Sequence, residues 1–448
     1  MLHACGFASR LRPVSIAVAL VVSILGCRGA PPSSPPNVLL VVVDALRADH
    51  LGAYGYSRPT SPNFDALARA GVLYTRAHAP TSWTNPSVAA LFSGERPRVL
   101  EPGAAQYIPA EVTTLAEAFH AAGYRTGAVV GNLFLAPDLG FAQGFDDYTP
   151  AAPWVHGIDD AAKQPAERLN ALGLTWLETA VRDPSRPWFL YVHYMDPHWP
   201  YVPPLETARR FWRAGDIDVA AAMQPLNRRV RQEATLSATE VAQSVDLYDG
   251  AIAHFDAQLG ELLAALRQRG ALAHTVVCVT ADHGEEFADH GGFRHARTLY
   301  EEVLHIPLAI AGSGRVARVD TPVQNAQIGA TLLALAGVSA SGFAGRGLDS
   351  GDVPAALLAE LTPWAGAVHR QALLRGDDKL IVTVDGRRLL FDLRADPGEA
   401  HDVAAARPRL VDELGAALAG SAASRPSGVP ATPNAAVRER MRALGYDF

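Results

Sequence analysis

The sequence predicts an α/β fold: a large central, mostly parallel mixed sheet flanked by helices, with a smaller C-terminal antiparallel sheet subdomain. Apolar, β-branched runs such as Val38–Val43 and Thr275–Thr280 are typical of strands that are buried on both faces of a sheet. Helical patterns alternate with these runs over most of the chain. Past Gly337 the strands become short and are separated by turn residues, which favours an antiparallel sheet.

Composition limits the possible classes of protein. With 448 residues, 49% of them hydrophobic and 19% charged, the chain can bury a large core. Its net charge of -7 argues against a nucleic-acid partner held through phosphate contacts. Cys278 lies within a predicted strand and is interpreted as a core residue, so no disulfide is expected.

The N-terminal segment is interpreted as a targeting signal. Two arginines precede an apolar run over residues 14–25, which is too short to span a bilayer and ends in Gly26-Cys27. This pattern resembles a bacterial lipoprotein signal (1–26), with Cys27 as the lipidated first residue and 27–36 as a tether. We therefore expect a periplasmic or cell-surface protein anchored to a membrane through Cys27. An ordinary secretory signal and an uncleaved anchor are the alternatives.

Two domains are predicted after the tether. Residues 37–340 are expected to form the catalytic α/β domain. Residues 341–448 are expected to form a C-terminal subdomain with a small antiparallel sheet and terminal helices.

In chain order, the first helix is predicted from Ser61–Asp65, which act as its cap, to Gly71. Pro86 and the small apolar residues after it predict a second helix start. An amphipathic helix from Thr114 then leads into a buried strand over 126–131.

The middle of the chain continues the alternation. It is predicted to contain a mostly helical stretch over 159–183, a strand over 187–193 and an insertion near the site mouth over 205–240.

A long helix is predicted over 241–269. Its apolar face leaves Asp249, His254 and Asp256 as markers of a polar side rather than a ligand set.

The C-terminal part begins with a further strand over 304–310. Short strands over 372–374, 379–384 and 388–393 then predict the antiparallel sheet, and a final helix is expected after Glu399.

Two of the buried strands end in a carboxylate. Asp44 follows the first strand, and Asp282 with His283 follows the strand that begins at Thr275. Open α/β sheets bind ligands at the carboxyl ends of their strands. Taken alone, Asp282–Gly284 can equally form a polar turn. Two such strand ends together offer oxygen and imidazole ligands, so they favour a divalent metal site.

Thr84 lies just before the predicted start of the second helix. A hydroxyl at the positive end of a helix can serve as a nucleophile, because the helix end stabilises an alkoxide. The same position also suits a simple N-cap. The segment alone leaves both interpretations open.

A series of motifs resembles the sulfatase family of the alkaline-phosphatase superfamily. In chain order the motifs are Val43–Gly52, Ser61–Asp65, Thr84–Ser87, Gly123–Thr126, Gly144–Asp146, Asp196–His198, Asp282–Glu285, Leu299–Glu302, and Phe391–Leu393 with Asp396–Glu399. They cover nearly the whole chain after the tether, and their order is more specific than any one of them.

The resemblance implies roles for individual residues. Asp44, Asp282 and His283 match metal ligands, with Thr84 in the nucleophile position beside a divalent metal such as Ca, Mn or Zn. His198 and His295 match groups that bind the ester anion or protonate the leaving group. In-line attack by Thr84 would form a covalent sulfo- or phospho-threonine.

The sequence departs from the family pattern at several positions. Thr84 replaces the Cys or Ser that sulfatases convert to formylglycine, and Val88 replaces the arginine of that motif. Asn132–Phe134 replaces a Lys-x-His, and Ala45 replaces the second Asp of a pair. A plain Ser or Thr nucleophile is typical of the two-zinc phosphatases and phosphodiesterases of the same superfamily.

A second metal would need a further Asp and two His residues. His198, His290 and His295 are available for it.

The leading hypothesis is a metal-dependent hydrolase of sulfate or phosphate/phosphonate esters that acts through Thr84. Its substrate would be a small-molecule, glycan or lipid ester. One alternative is a phosphoethanolamine-type headgroup transferase at the membrane. The other is a catalytically inactive sulfatase-fold binding protein.

Overall fold

The structure is a computed structural model, and its described part leaves several segments out. It describes Met1 and residues 34–96, 108–150, 165–223, 236–349, 355–361, 370–383 and 385–423. The predicted lipoprotein signal apart from Met1, Cys27 and most of the tether lie outside the described residues. Part of the predicted 205–240 insertion lies outside them as well. Chain contacts define one compact unit from Pro35 onward.

The strands of the catalytic part are numbered in chain order. They are β1 (Asn37–Val43), β2 (Val72–His78), β3 (Arg125–Val130), β4 (Asp147–Pro150), β5 (Trp188–Tyr194), β6 (Thr275–Ala281), β7 (Glu286–Phe287), β8 (Phe293–Arg294), β9 (His305–Ala311), β10 (Ala317–Val319) and β11 (Val323–Gln324).

Nine of these strands form the central sheet, in the order β10-β2-β9-β6-β1-β5-β3-β4, with β11 also paired to β2. Only β9 runs antiparallel to its neighbours β2 and β6. The separate β7 and β8 pair with each other. The predicted mostly parallel mixed sheet is therefore confirmed.

The register of the central strands explains how the sheet positions its polar residues. β1 lies between β5 and β6, and Val43 pairs with both Tyr194 and Ala281. Val38 to Val43 are fully buried, because helices cover both faces of the sheet. Since β1 and β6 are parallel and end at the same level, the residues that follow them leave the sheet at one edge.

The helices are α1 (Pro62–Ala70), α2 (Thr84–Ser93), α3 (Leu115–Ala121), α4 (Ala166–Ala180), α5 (Leu205–Phe211), α6 (Ala238–Gln268), α7 (Glu301–Leu304), α8 (Ile328–Leu335) and α9 (Pro408–Ala423). No helix in the described ranges is both long enough and apolar enough to cross a membrane.

Helix α1 has the predicted position but a different cap. The Ser61 side chain makes no capping hydrogen bond. Instead, the Asp256 carboxylate on α6 accepts hydrogen bonds from the backbone N–H groups of Asn63 (2.9 Å) and Phe64 (2.8 Å). A charged oxygen supplied by another helix thus satisfies the first turn.

The interpretation of Asp249, His254 and Asp256 as a polar side of α6 was wrong, because all three are buried. Asp249 accepts hydrogen bonds from Tyr56 and Arg58, both at 2.6 Å. Apolar periodicity does not reveal polar residues whose partners are distant in the sequence. Asp249 and Asp256 instead fix α6 to the segments that carry Tyr56, Arg58 and the first turn of α1.

The C-terminal sheet contains β12 (Leu357–Leu361), β13 (Arg370–Arg375), β14 (Asp378–Val382) and β15 (Arg388–Asp392), all antiparallel. β12 had no counterpart in the sequence analysis. One face of the sheet contributes residues such as Ile381 to the main core. The other packs Leu380 and Leu390 against Leu414 of α9. The antiparallel sheet is confirmed, and the domain boundary at 340/341 stays a prediction.

Candidate active site

Asp44, Asp282 and His283 converge at the edge where β1 and β6 end. Each offers one ligand atom, and these atoms lie within 4.8 Å of one another. All three side chains are fully buried. Among the described residues, no other group of three His, Cys, Asp or Glu side chains meets the same geometry.

The two carboxylate oxygens of Asp44 have different surroundings. Oδ2 accepts hydrogen bonds from Asn132 Nδ2 (2.6 Å) and His193 Nε2 (3.3 Å). Tyr191 donates its hydroxyl proton to Nδ1 of the same imidazole (2.8 Å), which fixes Nε2 as the protonated nitrogen. Oδ1 is buried and has no hydrogen-bond partner in the described part of the chain.

The two carboxylate oxygens of Asp282 also have different surroundings. Its Oδ1 accepts hydrogen bonds from the backbone N–H groups of Ala45 (3.2 Å) and His283 (2.9 Å). Its Oδ2 is buried without a hydrogen-bond partner among the described residues.

The His283 imidazole directs its Nε2 at both carboxylates and at the Thr84 hydroxyl. Its Nδ1 lies 2.8 Å from the Gly284 carbonyl oxygen, which can only accept, so Nδ1 carries the proton. Nε2 is then a bare acceptor, 3.6 Å from Asp44 Oδ1 and 3.5 Å from Asp282 Oδ2.

The electrostatics of this group fit a cation. Burial would raise the pKa of Asp44, but the imidazoles of His198, His193 and His283 outweigh it and hold that pKa well below its usual range. Burial and the Asp44 charge raise the pKa of Asp282 well above its usual range. Two unpaired carboxylate oxygens and a lone pair face one another, which is unfavourable unless a positive charge lies between them.

Thr84 lies beside this group, at the first residue of α2. Its Oγ1 is 3.1 Å from His283 Nε2 and 3.3 Å from Asp44 Oδ2. The residue is 2% exposed, and the N-cap position is Trp83. The hydroxyl therefore faces the predicted ligands and does not cap the helix.

The first turn of α2 is fixed against the strand end that carries the ligands. Ser87 donates a hydrogen bond to the Asp282 carbonyl oxygen (2.6 Å), and Asn325 Nδ2 donates one to Ser87 Oγ (2.7 Å). This contact determines where the helix places Thr84 relative to Asp282.

His295 and His198 form a row of rings next to His283. The centroids of His283 and His295 are 4.3 Å apart, and those of His295 and His198 are 4.9 Å apart. Glu285 Oε1 accepts a hydrogen bond from His295 Nδ1 (2.8 Å), and the Trp199 carbonyl oxygen accepts one from His198 Nδ1.

Both imidazoles are held neutral at pH 7. Burial lowers the pKa of His198 to about 3. Burial, with the charges of His283 and Arg294, lowers the pKa of His295 well below its usual value. Each ring is therefore neutral and can accept a proton.

His290 does not join these histidines. Its Nδ1 hydrogen-bonds to Glu302 Oε1 (2.8 Å), and its ring stacks on Tyr300 with centroids 3.6 Å apart. In the part of the chain that the structure describes, His198, His290 and His295 do not form a second metal group.

The sequence analysis missed two residues of the site, Asn132 and His193. Asn132 stands where the Lys-x-His would begin, and its amide hydrogen-bonds to Asp44. His193 is the sixth residue of β5, and its direction follows from the pleat and the β1–β5 register. The position of Asn132 in that motif could have identified it as a site residue. Nothing in the sequence around His193 indicates such a role.

The departures from the family pattern have visible consequences. Val88 stands where the family pattern has an arginine, and it is fully buried in the core. The positive charge of that arginine is therefore absent from this position. Ala45 has a left-handed φ of 59°, and its backbone N–H contributes to the site by donating to Asp282.

Comparison with known proteins identifies the family. The family model described as Sulfatase matches residues 36–338. Arylsulfatase A of Bos taurus is 31% identical in an alignment of length 303, which covers 59% of this chain and 55% of that protein. The match thus spans little more than half the length of that relative.

Solved structures share the fold. One, a protein in complex with its substrate D-glucosamine-2-N,6-O-disulfate, has a TM-score of 0.71 and 18% identity, covering 87% of this chain and 97% of the other. The phosphonate monoester hydrolase of Agrobacterium radiobacter has a TM-score of 0.67 and 23% identity, covering 86% and 95%. Since the family model matches more than half of the sequence, the chain belongs to the sulfatase family.

Proposed function

We propose that this protein is a metal-dependent hydrolase of sulfate or phosphate/phosphonate esters, with Thr84 as its nucleophile. The observation that carries the proposal is the position of Thr84 Oγ1, 3.1 Å from His283 Nε2 and 3.3 Å from Asp44 Oδ2, beside two unpaired carboxylate oxygens. The relatives and structural neighbours that act on sulfate or phosphonate esters support the reaction class.

Asp44, Asp282, His283 and Thr84 would hold the metal ion. When bound, a divalent cation supplies charge that neutralises the ester oxygens and lowers the pKa of a neighbouring hydroxyl. The remaining steps fall to the side chains of this chain.

In the first step, Thr84 Oγ1 attacks the sulfur or phosphorus atom. The bond from that atom to the leaving oxygen breaks, and its electron pair stays on the leaving oxygen. The neutral imidazole of His295 or His198 takes the threonine proton and returns it to the leaving oxygen. Neutral imidazoles suit this shuttle, because they can accept the proton before they donate it.

In the second step, water attacks the same sulfur or phosphorus atom and the bond to Thr84 Oγ1 breaks. The threonine oxygen recovers a proton from the water, so sulfate or phosphate leaves and the side chain is regenerated. Glu285 keeps His295 in one tautomer during both steps through the 2.8 Å hydrogen bond to Nδ1.

The test compares Thr84→Ala and Thr84→Ser with the wild type on aryl sulfate, phosphate monoester, phosphodiester, phosphonate and sulfated sugar substrates, each with Ca, Mn and Zn. We expect Thr84→Ala to lose activity by at least about 10³-fold and Thr84→Ser to retain part of it. Wild-type turnover by Thr84→Ala would refute the nucleophile.

Two further outcomes would favour the alternative functions. Label transferred from lipid to a glycan through Thr84, without hydrolysis, would indicate a headgroup transferase. Absence of both metal binding and turnover would indicate a binding protein.

We also propose that the chain is a lipoprotein anchored through Cys27. Its support is the pattern of two arginines, a short apolar run and Gly26-Cys27 in the sequence. Metabolic labelling with a radioactive fatty acid should label the wild type and leave Cys27→Ser unlabelled. Equal labelling of both proteins would refute the anchor.

A further inference from the structure

Arg294 carries a charge that no other described side chain neutralises by direct contact. It lies at the end of β8, and its guanidinium carbon is 4.3 Å from the centroid of the Trp199 ring. Its Nε is buried without a hydrogen-bond partner, and no carboxylate oxygen of the described residues lies within 4.0 Å of it. By contrast, Arg47 pairs with both Asp49 (2.8 Å) and Asp289 (3.0 Å).

The guanidinium lies next to the row of imidazoles. Arg294 immediately precedes His295, and Trp199 immediately follows His198, so the two segments that carry these rings also enclose the guanidinium. Its charge acts on His198, His295 and Glu285, whereas the leading electrostatic contributions at Asp44 come from imidazoles. Arg294 thus lies close enough to these imidazoles to act on them, beside Trp199.

Glu285 does not form an ion pair with Arg294. Its Oε1 accepts a hydrogen bond from His295 Nδ1 at 2.8 Å, and its Oε2 is buried without a hydrogen-bond partner among the described residues. The guanidinium of Arg294 therefore brings a positive charge to this place, and its Nε–H has no acceptor among the described residues.

The backbone at this point is strained. Arg294 and Ala296, on either side of His295, have φ values of 75° and 60°, in the left-handed region that favours glycine. Such strain is concentrated at ligand sites, where the surrounding structure imposes it. A glycine would relieve the strain at position 294, but it would also remove the guanidinium from Trp199.

We propose that Arg294 binds a second anionic group, located on the alcohol portion of the ester, and so selects substrates whose leaving group itself carries a carboxylate, sulfate or phosphate. This inference rests on the proposed function and specifies its substrate class. In that function His295 or His198 protonates the leaving oxygen, so a cation beside both rings is suitably placed for a charged group on the leaving alcohol. Trp199 fixes the plane of the guanidinium, which then presents its donors to planar or tetrahedral anions.

Unreactive sulfonates test the proposal without turnover. Calorimetry on the full chain with Mn²⁺ would compare benzenesulfonate with the three benzenedisulfonate isomers. We expect the wild type to bind at least one disulfonate about 10- to 100-fold more tightly than the monosulfonate, as one charge-assisted contact allows.

The variants isolate the contribution of the guanidinium. Arg294→Gln should remove the preference for the disulfonate and leave monosulfonate binding unchanged, and Arg294→Lys should keep part of the preference. Arg294→Gly removes the same charge and places at this position a residue that readily adopts a φ of 75°. It serves as the second variant if Arg294→Gln does not fold. Arg318→Gln, at an arginine side chain that is 60% exposed, is the matched control and should behave as the wild type.

Two results would overturn the proposal: a wild type without preference for any disulfonate, or an equal loss of mono- and disulfonate binding in Arg294→Gln. Neither depends on hydrolysis. An intact disulfonate preference in a protein without esterase activity would refute the proposed function and leave the Arg294 anion site standing.

Discussion

Replacing Asp282 with asparagine should stabilise the metal-free protein while it abolishes the response to metal. Asparagine is nearly isosteric with aspartate, and its Oδ1 can still accept the backbone hydrogen bonds from Ala45 and His283. Its Nδ2 would take the place of the unpaired Oδ2, 3.5 Å from the free lone pair of His283 Nε2. A repulsive contact would thus become a potential hydrogen bond.

The magnitude follows from the spacing of the ligand atoms. Carboxylate oxygens within 4.8 Å of each other repel by about 3 kcal/mol at an effective dielectric constant of about 20. The variant should recover part of that energy, roughly 1–3 kcal/mol, in metal-free buffer. Wild type should instead gain about 2.7 kcal/mol from a metal at 100 times its dissociation constant, because a ligand that binds only the folded state stabilises it.

The assay is urea unfolding of both proteins in EDTA and in a series of Mn²⁺ concentrations. We expect the order of stability to invert, with the variant more stable in EDTA and the wild type more stable in metal. Asp412→Asn, at a side chain that is 80% exposed on α9, is the control and should show no inversion. A variant that is less stable than wild type in EDTA, or that gains as much from metal, would refute the account of the site as a cation-binding group.

Two predictions concern buried charges outside the site. Lys379 is 1% exposed and lies 2.7 Å from Glu301 Oε1 and 3.0 Å from Glu399 Oε1, so Lys379→Met should lower the free energy of unfolding by about 3–5 kcal/mol in denaturant titrations. A loss below about 1 kcal/mol would contradict this. Burial raises the pKa of Asp256 from 3.8 to about 6, so the folded state keeps a proton that the unfolded chain loses between these pH values. Its stability contribution is complete below the lower pKa and is lost as the pH rises through the higher one. The asparagine variant loses one of the two accepting oxygens, which lowers its stability by the same amount at every pH. The stability of Asp256→Asn relative to wild type should nevertheless rise by about 3 kcal/mol between about pH 4 and about pH 8, and parallel pH profiles of stability for the two proteins would exclude this.

Local pattern was enough to predict the central strands and the place where the site forms. β1 and β6 are continuous apolar runs, and a run of this kind is recognisable without knowledge of its neighbours. Both runs stop at a carboxylate, and parallel strands present their carboxyl ends at one edge. The approach of Asp44 to Asp282 was therefore predictable in outline, although the atoms that meet were not.

Contacts between residues distant in the sequence determine the features that the local sequence pattern did not predict. Asp256 caps a helix that begins 193 residues earlier in the chain, and nothing in the amphipathic pattern of α6 marks that role. β12 is a short strand that acquires its identity by pairing with β13. His193 points at Asp44 only because of the pleat of β5 and its register with β1.

A common feature of the three predicted ligands explains why the site resists prediction in detail. Asp44, Asp282 and His283 each have one polar atom fixed by the protein and one atom directed at the other two. The fixed atoms hold the orientation, as partners of metal ligands commonly do. The atoms directed at one another destabilise the fold until a cation binds. Efficient packing of the core therefore does not predict this arrangement. Asn132 is a fixing partner from outside β1, β5 and β6, and it stands where the family pattern would have a lysine. An amide there supplies a hydrogen bond to Asp44 without a positive charge. In the proposed function the site would draw its positive charge from a metal ion and from Arg294, and the loss of either should weaken anion binding independently of the other.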